Sequence, residues 1–105
     1  MTTIRTPIPS KIRIGRRQYS VELLETMLEK RVMGRISYTA QTIKLGRRSN
    51  VTQKVFAPEQ VQESFWHEVT HAILYDMGRD TLNRDEKFVT EFAHRLNKAI
   101  NSASF

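Results

Sequence analysis

Apolar and polar residues alternate with a period of two through much of the N-terminal half of the chain. The alternation covers residues 11–14 and 18–21, on either side of a turn sequence that begins at Gly15, and it returns in residues 35–39 and 42–45. A period of two indicates strands with one buried face, and short turns between such strands favour hairpins. We therefore predict two strand pairs, which form a small antiparallel sheet of three or four strands.

Three other segments carry weaker patterns. Pro7 and Pro9 predict an irregular lead-in over residues 1–10. Residues 23–30 are ambiguous, because their apolar spacing also suits a short helical turn. Residues 101–105 are expected to fray as a C-terminal tail.

A helical period replaces the alternation from residue 58 onward. Pro58 suits the first turn of a helix, and Gly78 can adopt the left-handed conformation that ends one near Met77. A second helix is predicted to open at Asn83, with Glu86 in capping-box position. The short connection favours an antiparallel pair. The apolar stripes of the two helices are Val61, Phe65, Val69 and Ala72, and then Phe88, Val89, Phe92, Leu96 and Ile100.

These elements predict the α+β class, with a small sheet followed by two long helices in a single domain over residues 1–105. The composition agrees, because 39% apolar and 27% charged residues are ordinary values for a globular protein of this length. The chain has no cysteine, which excludes disulfides and thiolate metal ligands. It contains neither a long apolar run nor a secretory leader, so we expect a cytoplasmic protein with no membrane segment.

The charge is unevenly distributed along the chain. The net charge is +6, made up of +9 over residues 1–54 and −3 over residues 55–105. A basic half can favour nucleic acid or an acidic protein as a partner. The basic residues are scattered, however, and solvated strand edges and turns explain such a pattern about twice as often.

One short motif in the first helix points to metal chemistry. His67 and His71 enclose Glu68 in a His-Glu-x-x-His sequence. On a helix, residues four apart lie one above the other, so both imidazoles can reach one Zn²⁺ ion. Glu68 lies one step round the helix, where its carboxylate can accept a proton from water activated by the metal. The two histidines fall nearly opposite the apolar stripe, as residues of a cleft would.

A catalytic zinc site needs a third protein ligand, and the candidates lie on the last helix. His94 and Glu91 are about 170° and 130° from the centre of its apolar stripe, so both are expected to point to solvent. Asp85 and Glu86 lie in the first turn, which can come alongside the histidines. We favour Glu86, with the shorter Asp85 as the reserve and a capping role for Glu86 as the alternative.

The motif and its position resemble the zincin superfamily, and in particular the gluzincin type, in which a second helix supplies a glutamate ligand. Residues 64–75, with residues 85–89 downstream, are similar to small metallopeptidase-like proteins of bacteriophages and prophages. Those proteins are related in layout to SprT-like and ImmA/IrrE-like minimal zincins. The resemblance extends in element order over most of the chain, and for a phage protein the compartment would be the host cytoplasm.

The resemblance implies a zinc-dependent metallopeptidase that acts on a protein or peptide substrate. His67, His71 and Glu86 would be zinc ligands and Glu68 the general base. A strand before the active-site helix often pairs with extended substrate in such enzymes, and the matching residues are Thr42, Ile43, Lys44 and Leu45.

Two points stay open at the level of sequence. Tyr38, Tyr75 and Arg95 are each candidates for an additional oxyanion donor, with no spacing that chooses among them. The alternative function is a zinc-stabilised binding module with weak catalysis, which would use its basic half to bind DNA or an acidic protein.

Overall fold

The computed structural model describes residues 8–104 and confirms the α+β class. A four-stranded sheet is followed by three helices, of which the middle one is a single short turn. No helix in this range combines the length and apolar character needed to cross a bilayer. The elements are β1 (Lys11–Ile14), β2 (Arg17–Leu24), β3 (Gly34–Ser37), β4 (Thr42–Gly46), α1 (Pro58–Asp76), α2 (Asp80–Asn83) and α3 (Glu86–Ser102).

The sheet has the strand order β1-β2-β4-β3. The pairs β1–β2 and β3–β4 are antiparallel, as the alternating segments predict. The two pairs join through β2 and β4, which run parallel from Ser20↔Thr42 to Leu24↔Gly46, so the sheet is mixed rather than antiparallel throughout. This arrangement places β4 in the interior of the sheet and β3 at an edge.

Helix α1 packs between the sheet and α3. Its residues Phe65, Val69 and Ala72 are buried against Tyr19 and Leu45 of the sheet. Because apolar side chains on the inner face of the strands meet this stripe, the sheet and α1 share one core. Helix α3 contacts α1 and α2 but not the strands. The molecule therefore has three layers, with the histidine-bearing helix in the middle.

The ends of α1 match the sequence prediction. Pro58 occupies its first turn, and the Gln60 side chain accepts a hydrogen bond from the Ala57 N–H at 2.8 Å. Gly78 has φ of +71°, the left-handed conformation that glycine adopts without steric cost. The segment 23–30 forms no helical turn, because β2 continues to Leu24 and bends and turns follow.

The start of the last helix differs from the prediction. Asn83 ends α2 rather than opening α3, and Asp85 is the residue that caps α3, with its carboxylate accepting from the Phe88 N–H at 3.1 Å. Glu86 is thus the first residue of the helix and takes no part in a capping box. Residues 8–10 are irregular as expected, whereas residues 1–7 and Phe105 lie outside the described range. The helix continues to Ser102, two residues into the segment expected to fray.

The inward face of α3 also differs from its apolar stripe. Its buried residues are Val89, Ala93 and Asn97, whereas Phe92 is 46% exposed. The face that meets α1 is small and polar, because Asn97 donates to the Glu59 carbonyl at 3.3 Å and Asn101 donates to Gln62 at 2.7 Å. Small side chains let the two helices approach closely. The positions of the large apolar residues therefore predict the wrong contact face for α3.

Candidate metal centre

Three side chains from two helices converge at one end of the α1–α3 pair. His67 and His71 lie one turn apart on α1, and Glu86 approaches them from the first turn of α3. Glu86 Oε1 is 2.8 Å from His71 Nε2, and Glu86 Oε2 is 3.2 Å from His67 Nε2. The ligand atoms of the three residues lie within 4.8 Å of one another. A single metal ion could therefore be held by all three side chains.

The orientation of His71 is fixed by a hydrogen bond on the other side of its ring. His71 Nδ1 is 2.6 Å from Asn83 Oδ1, and Asn83 Nδ2 donates to the Tyr38 hydroxyl at 3.1 Å. An amide oxygen can only accept, so Nδ1 carries the proton and Nε2 is the ring nitrogen that could coordinate a metal. The side chain of His71 is 12% exposed, which limits its alternative orientations.

Tyr38 is itself held by stacked neighbours. Its ring lies 4.0 Å from the ring of Tyr75 at an interplanar angle of 8°. The Arg17 guanidinium in turn lies 5.0 Å from the centroid of the Tyr75 ring. Arg17 is also 4.0 Å from Asp76. This series of contacts connects β2, the end of β3 and the C-terminal half of α1 to the residue that orients Asn83.

Glu68 is buried beside the histidines, with 7% of its surface exposed. Burial raises the pKa of Glu68 to about 7, although His71 opposes the increase and the Glu86 carboxylate adds to it. A Cβ placed on Gly34 would lie 3.1 Å from Glu68 Oε2, so the carboxylate lies directly against the backbone of β3. The absence of a side chain at Gly34 leaves the space that this carboxylate needs.

The environment also favours the neutral form of His67. Burial lowers the pKa of His67, and the charge of Glu86 opposes that decrease only in part. A neutral imidazole is the form that binds a metal ion. Burial therefore favours the form of His67 that coordination requires.

An open groove of about 990 Å³ runs from this cluster along the side of α1. Its walls are α1, α3 and the segment that leads into β3, and His67, Glu68 and Glu86 lie at one end. Most of the remaining lining is polar. Glu63 and His94, which are joined at 2.7 Å, face it from opposite helices.

The structure separates the predicted site residues into two groups. It brings His67, His71, Glu68 and Glu86 together, whereas Asp85 caps α3 and His94 is exposed on the groove rim. The predicted substrate strand, Thr42, Ile43, Lys44 and Leu45, is paired on both sides by β2 and β3, so its backbone is not free to bind a peptide. The prediction is wrong on this point, and β3 is the edge strand.

Asn83 and Gly34 are parts of the site that the sequence did not reveal. Asn83 reaches His71 because α2 turns the chain between the two long helices, and no spacing rule predicts that turn. Gly34 lies between the ambiguous segment 23–30 and the strand predicted at 35–39, and nothing in the sequence marks it as part of a site. The three proposed oxyanion donors differ in their distance from the site. Tyr38 contacts Asn83, which contacts His71, and Tyr75 stacks on the ring of Tyr38. Arg95 does not line the groove.

The donor set fits zinc better than it fits magnesium or calcium. Two imidazole nitrogens and one carboxylate are the ligands of many catalytic zinc sites, whereas magnesium and calcium prefer oxygen donors alone. Comparison of the chain with protein-family models, curated proteins and solved structures gives no match. The geometry of the site is therefore the basis on which its function can be argued.

Proposed function

We propose that this protein is a zinc-dependent peptidase, with His67, His71 and Glu86 as metal ligands and Glu68 as the general base. The observation that carries the proposal is the approach of Glu86 to both Nε2 atoms, at 2.8 and 3.2 Å, beside the buried carboxylate of Glu68. Two ligands on one helix and a glutamate on the next, with a separate base, fit metal-assisted hydrolysis.

Zinc bound there would supply Lewis-acid polarisation of a carbonyl and a lowered pKa for water. Glu68 accepts the proton of the attacking water and returns it to the leaving amine. A base is most effective when its pKa lies near the working pH. In the metal-free protein, burial raises the pKa of Glu68 to about 7. Asn83 and Tyr38 keep His71 in the tautomer that the site needs.

The edge of β3 and the adjacent groove form the route for an extended substrate. Among the described strands, β3 pairs only with β4, so its outer backbone groups are available to a peptide. Gly34 lies in β3, lines the groove and contacts Glu68. A peptide paired along β3 would thus pass the general base. The open shape of the groove suits a chain segment rather than an enclosed small molecule.

The test combines metal content with cleavage of a mixed peptide library. We expect about one zinc per chain and cleavage that chelation abolishes and zinc restores. Glu68→Gln is expected to keep the metal and lose nearly all cleavage, by about 10² to 10⁴-fold. Bound zinc with no cleavage by the wild-type protein would reject the peptidase proposal and favour the binding-module alternative. No bound metal would reject both.

A further inference from the structure

The sheet has a second surface, opposite α1, that the proposed peptidase site does not use. Because paired residues point to the same side, the strand register identifies the residues that share it. We call this surface the outer sheet face. Its residues are Lys11, Arg13, Gln18, Ser20, Glu22, Leu24, Arg35, Ser37, Thr42, Lys44 and Gly46.

Basic residues that are scattered in the sequence are gathered on this face. Lys11, Arg13 and Lys44 are all exposed, and none of the ion pairs within residues 8–104 involves them. Arg35 is held by Glu29, so its charge is compensated locally. Lys11 and Lys44 lie on either side of β2, two strand spacings and two residues along the strand apart, which is about 12 Å. The only acidic residue on the face itself is Glu22, which lies beside Lys44 in the register and compensates part of its charge.

We propose that the outer sheet face binds the phosphate backbone of duplex nucleic acid, independently of its sequence. Phosphate groups are bound by lysine and arginine together with hydroxyl and amide side chains, and the rows between the cations contain Ser20, Thr42 and Gln18. The acidic excess of the chain lies in residues 55–105, which include α1 and α3 on the other side of the sheet. A duplex would therefore approach the sheet in preference to the helices.

The composition of the face excludes several other partners. Protein interfaces depend on aromatic or aliphatic anchors, and single-stranded nucleic acid depends on aromatic side chains that stack with bases. The outer sheet face has no aromatic residue, and its one large apolar side chain, Leu24, is half-buried at the end of β2. Binding at a lipid surface usually adds insertion of apolar side chains, which Leu24 alone does not provide. Cations among small polar groups are what a duplex backbone requires.

The experiment measures anisotropy of a labelled, mixed-sequence DNA duplex of about 20 bp between about 50 and 200 mM salt. We expect a Kd in the micromolar range at low salt and a slope of log K against log salt near −3. The triple variant Lys11→Gln, Arg13→Gln and Lys44→Gln is expected to lose at least about tenfold in affinity and most of this slope. A cooperative thermal unfolding transition checks that the triple variant is folded.

A matched variant controls for the loss of net charge. Arg79→Gln, Arg84→Gln and Arg95→Gln remove the same charge from α3 and the segments before it, and this variant is expected to bind within about threefold of wild type. Equal losses in both variants would overturn the proposal, as would no binding at low salt. Tighter binding of a single strand, of polyglutamate or of anionic vesicles would assign the face to a different partner and also overturn it.

Discussion

Asn83 Oδ1 lies 2.6 Å from His71 Nδ1, while the Nε2 atom of the same ring faces Glu86 at 2.8 Å. One imidazole is therefore oriented by an amide on one side and directed at the candidate metal site on the other. Partners of this kind usually contribute 10–100-fold to metal affinity, because they fix the ring and its tautomer. Asn83 is a partner of this kind that carries no negative charge.

Replacing Asn83 by leucine should weaken zinc binding by about 10–100-fold, because the volume is kept and the acceptor is lost. Competition with a chromophoric chelator measures the affinity. Asn83→Asp is the matched control, since it keeps an acceptor oxygen at the same position and should bind zinc at least as tightly as wild type. Equal weakening in both variants would show that the hydrogen bond to Nδ1 is not what positions the ring.

Glu86 and Asp85 are adjacent carboxylates with separable roles. Glu86→Gln should abolish the increase in melting temperature that zinc produces, because the amide is a poor ligand. Asp85→Asn should keep the zinc response, and Asp85→Ala should lower the stability of the metal-free protein by about 1 kcal/mol through loss of the cap. The melting temperature of each variant, measured across a zinc titration, distinguishes the role of Glu86 from that of Asp85. A normal zinc response in Glu86→Gln would remove Glu86 from the ligand set.

The stability of the metal-free protein should depend on Glu68. The folded-state pKa of about 7 is higher than the ordinary value of 4.5, so the folded protein binds this proton more tightly than the unfolded chain does. The stabilisation by protonated Glu68 is complete below pH 4.5 and is lost as the pH rises through about 7. At about 1.4 kcal/mol per pKa unit, the total loss is about 3 kcal/mol.

Glu68→Gln isolates this contribution. Urea unfolding in the presence of a chelator, repeated across this pH range, should show the variant gaining stability relative to wild type as the pH rises. The difference should level off above pH 8, where Glu68 is ionised in both folded and unfolded states. Parallel curves for the two proteins would mean that Glu68 titrates near its ordinary pKa.

Gly34→Ala should impair the general base without removing the metal. The new Cβ would lie 3.1 Å from both Glu68 Oε2 and Leu45 Cδ2, so the carboxylate has to move by a few tenths of an ångström. We expect kcat for peptide cleavage to fall about tenfold, because small displacements of a catalytic group are costly, and zinc affinity to stay within about threefold. Steady-state kinetics on a cleaved peptide provide the measurement.

Gly78→Ala is the control for Gly34→Ala. Its Cβ would have no neighbour within 4 Å, but φ of +71° is strained for alanine. It should cost about 1 kcal/mol in stability and leave kcat unchanged. If Gly34→Ala behaves in the same way, the contact with Glu68 has no catalytic consequence.

The sequence predicted the elements well, because their signals are local. The alternation around Gly15 located the first hairpin, and Pro58 and Gly78 located both ends of α1. The parallel pairing of β2 with β4 could not be predicted in this way, because alternation defines which face of a strand is buried and not which strand lies beside it. The error about the substrate strand follows directly from that missing information.

Glu86 lies beside the histidines as predicted, but the apolar stripe indicates the wrong packed face for its helix. The centre of that stripe is about 90° from Glu86 at helical spacing. The true packed face contains Val89, Ala93 and Asn97, and Glu86 lies within about 20° of Ala93 and Asn97 at helical spacing. A pattern of apolar residues does not include a buried asparagine such as Asn97. The rotation of α3 about its axis therefore could not be derived from hydrophobicity.

The attachment of α3 has a consequence for the order in which the protein opens. This helix packs on α1 and α2 alone, through small and polar residues, so little apolar surface holds it in place. Because Glu86 is the first residue of α3, its coordination to a metal held by His67 and His71 would connect α3 to α1. We therefore expect amide hydrogens of α3 to exchange ahead of those of β4 when zinc is removed, so that this helix detaches before the centre of the sheet opens.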